Sequence, residues 1–161
     1  MADVQDFINK VVNDLSEKYV KTPYYWEKPK DGERLLDYVI ATDGGITEDY
    51  INNRTRNSLY LDPRPLGKLA FDFFKLRRKP YSDKYKHALM NCNAAQYGSG
   101  GMLASQVLSG LKEYYDVKSK NNTQDESGAD NYANKIGRYL GYKYPERNCD
   151  EMVGKYIKKK Y

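Results

Sequence analysis

The chain has a single histidine, His87, set in the run Ser82-Asp-Lys-Tyr-Lys-His-Ala-Leu-Met-Asn-Cys-Asn-Ala-Ala-Gln-Tyr-Gly-Ser-Gly-Gly101. On a helix over residues 83–97, His87, Asn91, Ala94 and Gly98 recur at i, i+4, i+7 and i+11, so they share one small, polar stripe. A second phrase, Ser127 to Arg138, repeats the style. On a helix over 128–140, Asp130, Ala133, Asn134, Gly137 and Gly141 share a stripe, with Arg138 beside Asn134. His87, Glu113, Asp130 and Asn134 contain general acid–base chemistry in principle. A hydrolase-like enzyme using His87 is nevertheless the weakest expectation, because no nucleophile elbow, phosphate loop or dinucleotide fingerprint accompanies it. No metal or cofactor is expected either: zinc sites use several His or Cys ligands, and Cys92 and Cys149 have no partner at ligand spacing. Small residues let helix backbones approach closely, and polar groups trapped between them must hydrogen-bond one another. The favoured reading of His87, Asn91, Glu113, Asp130, Asn134 and Arg138 is therefore a structural polar seam.

The elements that must position this seam follow from caps and periodicity. Ser82 is a good N-cap, Asp83 suits the positive end of the dipole, and Gly98 to Gly101 ends one helix and opens the next, Met102 to Tyr115. Lys118 to Glu126 is polar and reads as an exposed loop. Upstream, Val4, Ile8, Val11, Leu15 and Tyr19 predict an amphipathic helix over 3–19. Thr22 to Pro29 follows as an aromatic strap carrying Tyr24, Tyr25 and Trp26, which caps the chain's own core in the favoured reading and docks a partner in the other. Glu33 to Ala41 and Ile46 to Asn57 predict two short helices split by Asp43-Gly-Gly45, although Tyr38 to Ala41 would also suit a strand. Pro65 opens a helix to about Arg78, with Phe71, Phe73 and Phe74 on its body and Arg77-Arg78-Lys79 at its basic end. Asn148 or Asp150 starts a final basic helix running to Tyr161. These elements divide into an N-terminal region, 1–62, and a bundle domain, 63–161. The fold class is all-α, a packed helical bundle.

At 161 residues the chain buries enough surface to fold without a disulfide or metal staple, so both cysteines are expected as buried free thiols. Seventeen tyrosines and a mean hydropathy of −0.89 describe a chain rich in amphipathic aromatic surface, suited to interfaces. A net charge of +5 is ordinary for a soluble protein, so nucleic acid is not the expected partner. No apolar run reaches transmembrane length, and the acids near Met1 do not suit a secretory signal. Asn53-Arg-Thr55 and Asn121-Asn-Thr123 match the N-glycosylation pattern, which carries little weight without a secretory route. The expected location is intracellular or within an assembled particle, and secretion is not supported.

The seam residues also resemble a known family. Ser82-Asp83-Lys84-Tyr85-x-His87-Ala88-x-x-Asn91-x-x-Ala94-Ala95-x-x-Gly98-x-Gly100-Gly101-x-x-Ala104, continued through Ser109 and Glu113, is similar to the hallmark stretch of the serum amyloid A proteins. Ser127-x-Ala129-Asp130-x-x-Ala133-Asn134-x-x-Gly137-Arg138 matches again after a slightly longer loop. The resemblance implies a compact antiparallel helical bundle in a family associated with lipid and retinol binding, lipoprotein particles and self-association. Two departures bear on function: family members are secreted, whereas no secretory signal is expected from the residues after Met1, and their long apolar first helix corresponds here only to the short segment from Leu66 to Leu76.

Three functions compete. The first is a non-enzymatic interaction module, in which the bundle mediates protein–protein assembly, in a virus particle or another large complex. Tyr24, Tyr25, Trp26, Phe71, Phe73, Phe74, Arg77, Arg78 and Lys79 are its candidate contacts, with protein partners or self-association expected. The second is a lipid or small apolar ligand binder of serum amyloid A type, helped by the phenylalanines and basic flank. The third is the enzyme already weighed.

Overall fold

The computed structural model describes residues 26, 27, 29, 33–119 and 124–160; the side chains of residues 70, 73, 74, 111–119 and 124–127 are outside that description. The predicted helix over 3–19 and the strap residues Tyr24 and Tyr25 lie outside the described residues. Seven helices are present among those described: α1 (Leu35–Asp43), α2 (Glu48–Arg56), α3 (Arg64–Arg77), α4 (Asp83–Ala95), α5 (Ser99–Ser119), α6 (Gln124–Lys143) and α7 (Cys149–Gly154). The all-α expectation holds, and Tyr38 to Ala41 is helical rather than extended. Gly44 and Gly45, at φ 66° and 93°, turn the chain between α1 and α2, a region closed to most side chains. Thr47, Ser82 and Asn148 cap α2, α4 and α7 by accepting from the backbone N–H groups of Tyr50, Tyr85 and Glu151. The expected loop from Lys118 is shorter than predicted, because α5 runs on to Ser119 and α6 begins at Gln124.

The central contact is α4 against α6. Its closeness is a consequence of Gly137 and Gly141: a methyl group built on either would fall on the carbonyl oxygen of Ala88 or Cys92. Around this pair, Tyr85, Tyr132 and Tyr139 are among the largest fully buried side chains. Tyrosine density here thus serves the core as well as the surface. The Tyr132 hydroxyl accepts from the Leu36 N–H at 2.7 Å, tying α1 to α6, and Lys135 reaches Glu48 at 3.5 Å, tying α2 to the same helix.

Two expectations about the C-terminal part need correction. Cys92 and Cys149 are not free thiols but form a disulfide, with Cα atoms 5.9 Å apart. Chain separation conceals this proximity, which arises because α7 folds back across α4. The final helix stops at Gly154 instead of reaching Tyr161. Beyond it, Ile157 forms an antiparallel bridge with Trp26, and the Glu27 N–H donates to the Tyr156 carbonyl at 2.8 Å. Ser82 then donates its N–H to the Lys159 carbonyl at 2.7 Å and its hydroxyl to that of Lys158 at 2.5 Å. The lysine tail therefore spends its carbonyls on tertiary partners rather than on helical ones.

Candidate functional site

On α4, His87 and Asn91 stand one turn apart; on α6, Asp130, Asn134 and Arg138 do the same over two turns. The close α4–α6 approach brings all five into one network. Asn91 Nδ2 donates to Asn134 Oδ1 at 2.8 Å and to the His87 carbonyl at 2.9 Å. Asn91 Oδ1 accepts from Arg138 Nη1 at 3.1 Å and from Ser109 Oγ at 3.4 Å. His87 Nδ1 lies 3.1 Å from Asn134 Oδ1, and since an amide oxygen only accepts, Nδ1 is assigned as the proton donor. Glu113 lies on α5, but its side chain is outside the described residues.

The other edge of the histidine faces carboxylates. Nε2 lies 3.5 Å from Asp130 Oδ2 and 3.7 Å from Asp83 Oδ2. Asp130 is buried and ion-paired with Lys84, whose side chain is itself only 2% exposed. Burial pushes the Asp130 carboxyl above the ordinary carboxylate range, opposed by the nearby His87 and Lys84. Burial also pulls the Arg138 guanidinium down to about 10, which leaves it charged at neutral pH. Asp83, His87 and Asp130 present ligand atoms within 4.8 Å of one another, a spacing a metal ion could bridge. The Lys84 ammonium already sits on Asp130 and lies 3.6 Å from Asp83, so a cation of the chain's own occupies that role. Cys92 is tied into its disulfide, and the Ser109 hydroxyl turns to Asn91 rather than to the imidazole, so neither pairs with His87 as a base-activated nucleophile would. Neither Lys84 nor Asp83 was placed in the seam from sequence. Lys84 could have been, since it shares a helical stripe with Ala88, Asn91 and Ala95.

A cavity of about 170 Å³ opens against this seam. Leu69 and Leu76 of α3 and Met90 of α4 form its apolar wall, His87, Asn91 and Ser109 its polar side, and Asp83, Arg77 and Lys86 complete the lining. Phe71 is 65% exposed on the same helix, and Arg77, Arg78 and Lys79 are exposed at its end. The side chains of Phe73 and Phe74 are outside the described residues. Trp26, by contrast, is 6% exposed and meets the Tyr132 ring edge-on at 5.7 Å between centroids.

A family model described as Serum amyloid A protein matches residues 69–156. Among individual relatives, the Serum amyloid A protein of Notamacropus eugenii is 44% identical over 57 residues, covering 35% of this chain and 45% of the relative. The Serum amyloid A-3 protein of Oryctolagus cuniculus is 44% identical over 69 residues, covering 43% and 56%. The chain thus spans about half the length of these curated relatives. No solved structure matches. The relatives are named for serum, an extracellular fluid, and this overturns the expectation that the chain resides inside the cell or within a particle and that secretion is unsupported. The Cys92–Cys149 disulfide agrees, since such bonds persist in oxidising compartments. With the family model covering more than half of its residues, the chain belongs to the serum amyloid A family.

Proposed function

We propose that this chain is a non-enzymatic binder of small amphipathic molecules, lipid-like in having an apolar body and an anionic end. The cavity beside the seam carries this reading. Its Leu69, Leu76 and Met90 wall suits a short acyl segment or a single ring, and Arg77 and Lys86 supply cations for a carboxylate or phosphate. At about 170 Å³ it is close to the roughly 150 Å³ apolar cavity known to hold benzene, so about six carbons would fit. His87 and Asn91 offer polar contacts while their shared hydrogen-bond partner, Asn134 Oδ1, keeps the wall rigid. Family membership supports the same reading through the lipid association that the resemblance implies.

Assembly through the aromatic strap receives less support, because Trp26 is committed to Tyr132 and Ile157 of its own chain. The test is displacement of a fluorescent fatty-acid probe by straight-chain carboxylates. Competition that weakens in an Arg77→Glu, Lys86→Glu double variant is expected; absence of saturable binding would overturn the proposal.

A further inference from the structure

The acceptor pattern Asn53-Arg54-Thr55 lies on α2, and the relatives named for serum give it the secretory context it otherwise lacks. Positions i and i+2 of a helix point about 200° apart, so the two key residues face opposite ways. Asn53 is exposed, and no hydrogen bond among the described residues holds its side chain. Thr55 is buried, with Oγ1 donating to the Ile51 carbonyl at 2.9 Å. Beside Asn53 lies a shallow depression of about 320 Å³ lined by Tyr50, Arg54, Asn57, Ser58 and Ser99. Tyr50 is 46% exposed there, with the Arg54 guanidinium 6.0 Å above its ring, and Asn57, Ser58 and Ser99 offer amide and hydroxyl groups suited to sugar hydroxyls.

We propose that Asn53 is the attachment point of an N-linked oligosaccharide whose innermost sugar rests in this depression. The donor is a lipid diphosphate-linked oligosaccharide. Asn53 Nδ2 bonds to the anomeric carbon, that carbon's bond to the diphosphate oxygen breaks, the amide gives up one proton, and the lipid diphosphate departs. No electrons are exchanged. Because Thr55 is needed for acceptor recognition and is buried in the fold, transfer precedes the closing of α2 onto Met102, whose sulfur lies 3.6 Å from Thr55 Oγ1. The folded surface accommodates the product because Asn53 faces outward.

The experiment is expression of the full chain in eukaryotic cells that secrete glycoproteins, with Asn121→Gln in the background so that the second acceptor pattern contributes nothing. The expected result is a single retarded band that collapses on treatment with peptide-N-glycosidase, leaving aspartate at position 53 by peptide mass. The band should be absent from Asn53→Gln and retained in Thr55→Ser, which keeps both hydroxyl and pattern. An Asn53 peptide recovered wholly unmodified, whether from secreted or retained protein, would overturn the proposal.

Discussion

Removing the Cys92–Cys149 bond, by reductant or as a Cys92→Ala, Cys149→Ser double variant, should cost a large part of the stability. The bond closes a loop over a sequence separation of 57, for which the loss of chain entropy in the unfolded state corresponds to about 4 kcal/mol at 25 °C. Domains of this kind have a net stability of about 5–15 kcal/mol, so the loss is a substantial fraction of the whole. For a chain of this length each kcal/mol moves the melting temperature by about 2–4 °C, giving an expected fall of about 8–16 °C. Both cysteines are buried, so the reductant must act through opening of α7 rather than on the resting fold. The assay is thermal unfolding by circular dichroism with and without reductant, alongside thiol titration of the oxidised protein under denaturing conditions. Two titratable thiols, or a melting temperature unchanged by reduction, would refute the reasoning.

Two further outcomes test the seam. Asn91→Leu keeps the volume but takes away the acceptor of buried Arg138 and the donor to Asn134, so a loss of about 3 kcal/mol is expected in denaturant titration; a loss below about 1 kcal/mol would contradict the network. Burial raises the Asp130 carboxyl above its unfolded value, so as pH falls the folded chain takes up this proton first. Its contribution is therefore greatest below the ordinary carboxylate range and is lost as pH rises through the raised value. Melting temperatures of wild type and Asp130→Asn across pH 3–7 should differ in slope accordingly, and parallel curves would contradict the assignment.

Local chemistry made much of the bundle legible. Ser82 and Gly98 bracket α4, Pro65 opens α3, and the small residues at Gly137 and Gly141 mark the closest helix contact, because each of these choices is dictated within a turn or two of chain. Proximity created by the tertiary fold was not legible. Nothing around Cys92 points to Cys149, and nothing in Lys158-Lys-Lys160 reveals that the carbonyls of Lys158 and Lys159 would be taken by Ser82. The seam could be read from His87, Asn91, Asp130, Asn134 and Arg138 since helical spacing alone gathers them on facing stripes. The cavity could not, because it depends on how α3 is set against α4 and α5, a matter of packing rather than periodicity.

The central claim is that the cavity takes the apolar end of a small amphipathic ligand, and a chain-length series tests it most directly. Each buried methylene is worth about 0.8 kcal/mol, about fourfold in affinity, so calorimetric titration with straight-chain carboxylates should show that increment up to about six carbons and then level off. Leu69→Trp, which fills the cavity, should abolish it. Affinity that does not depend on chain length, or binding unaffected by Leu69→Trp, would contradict the account.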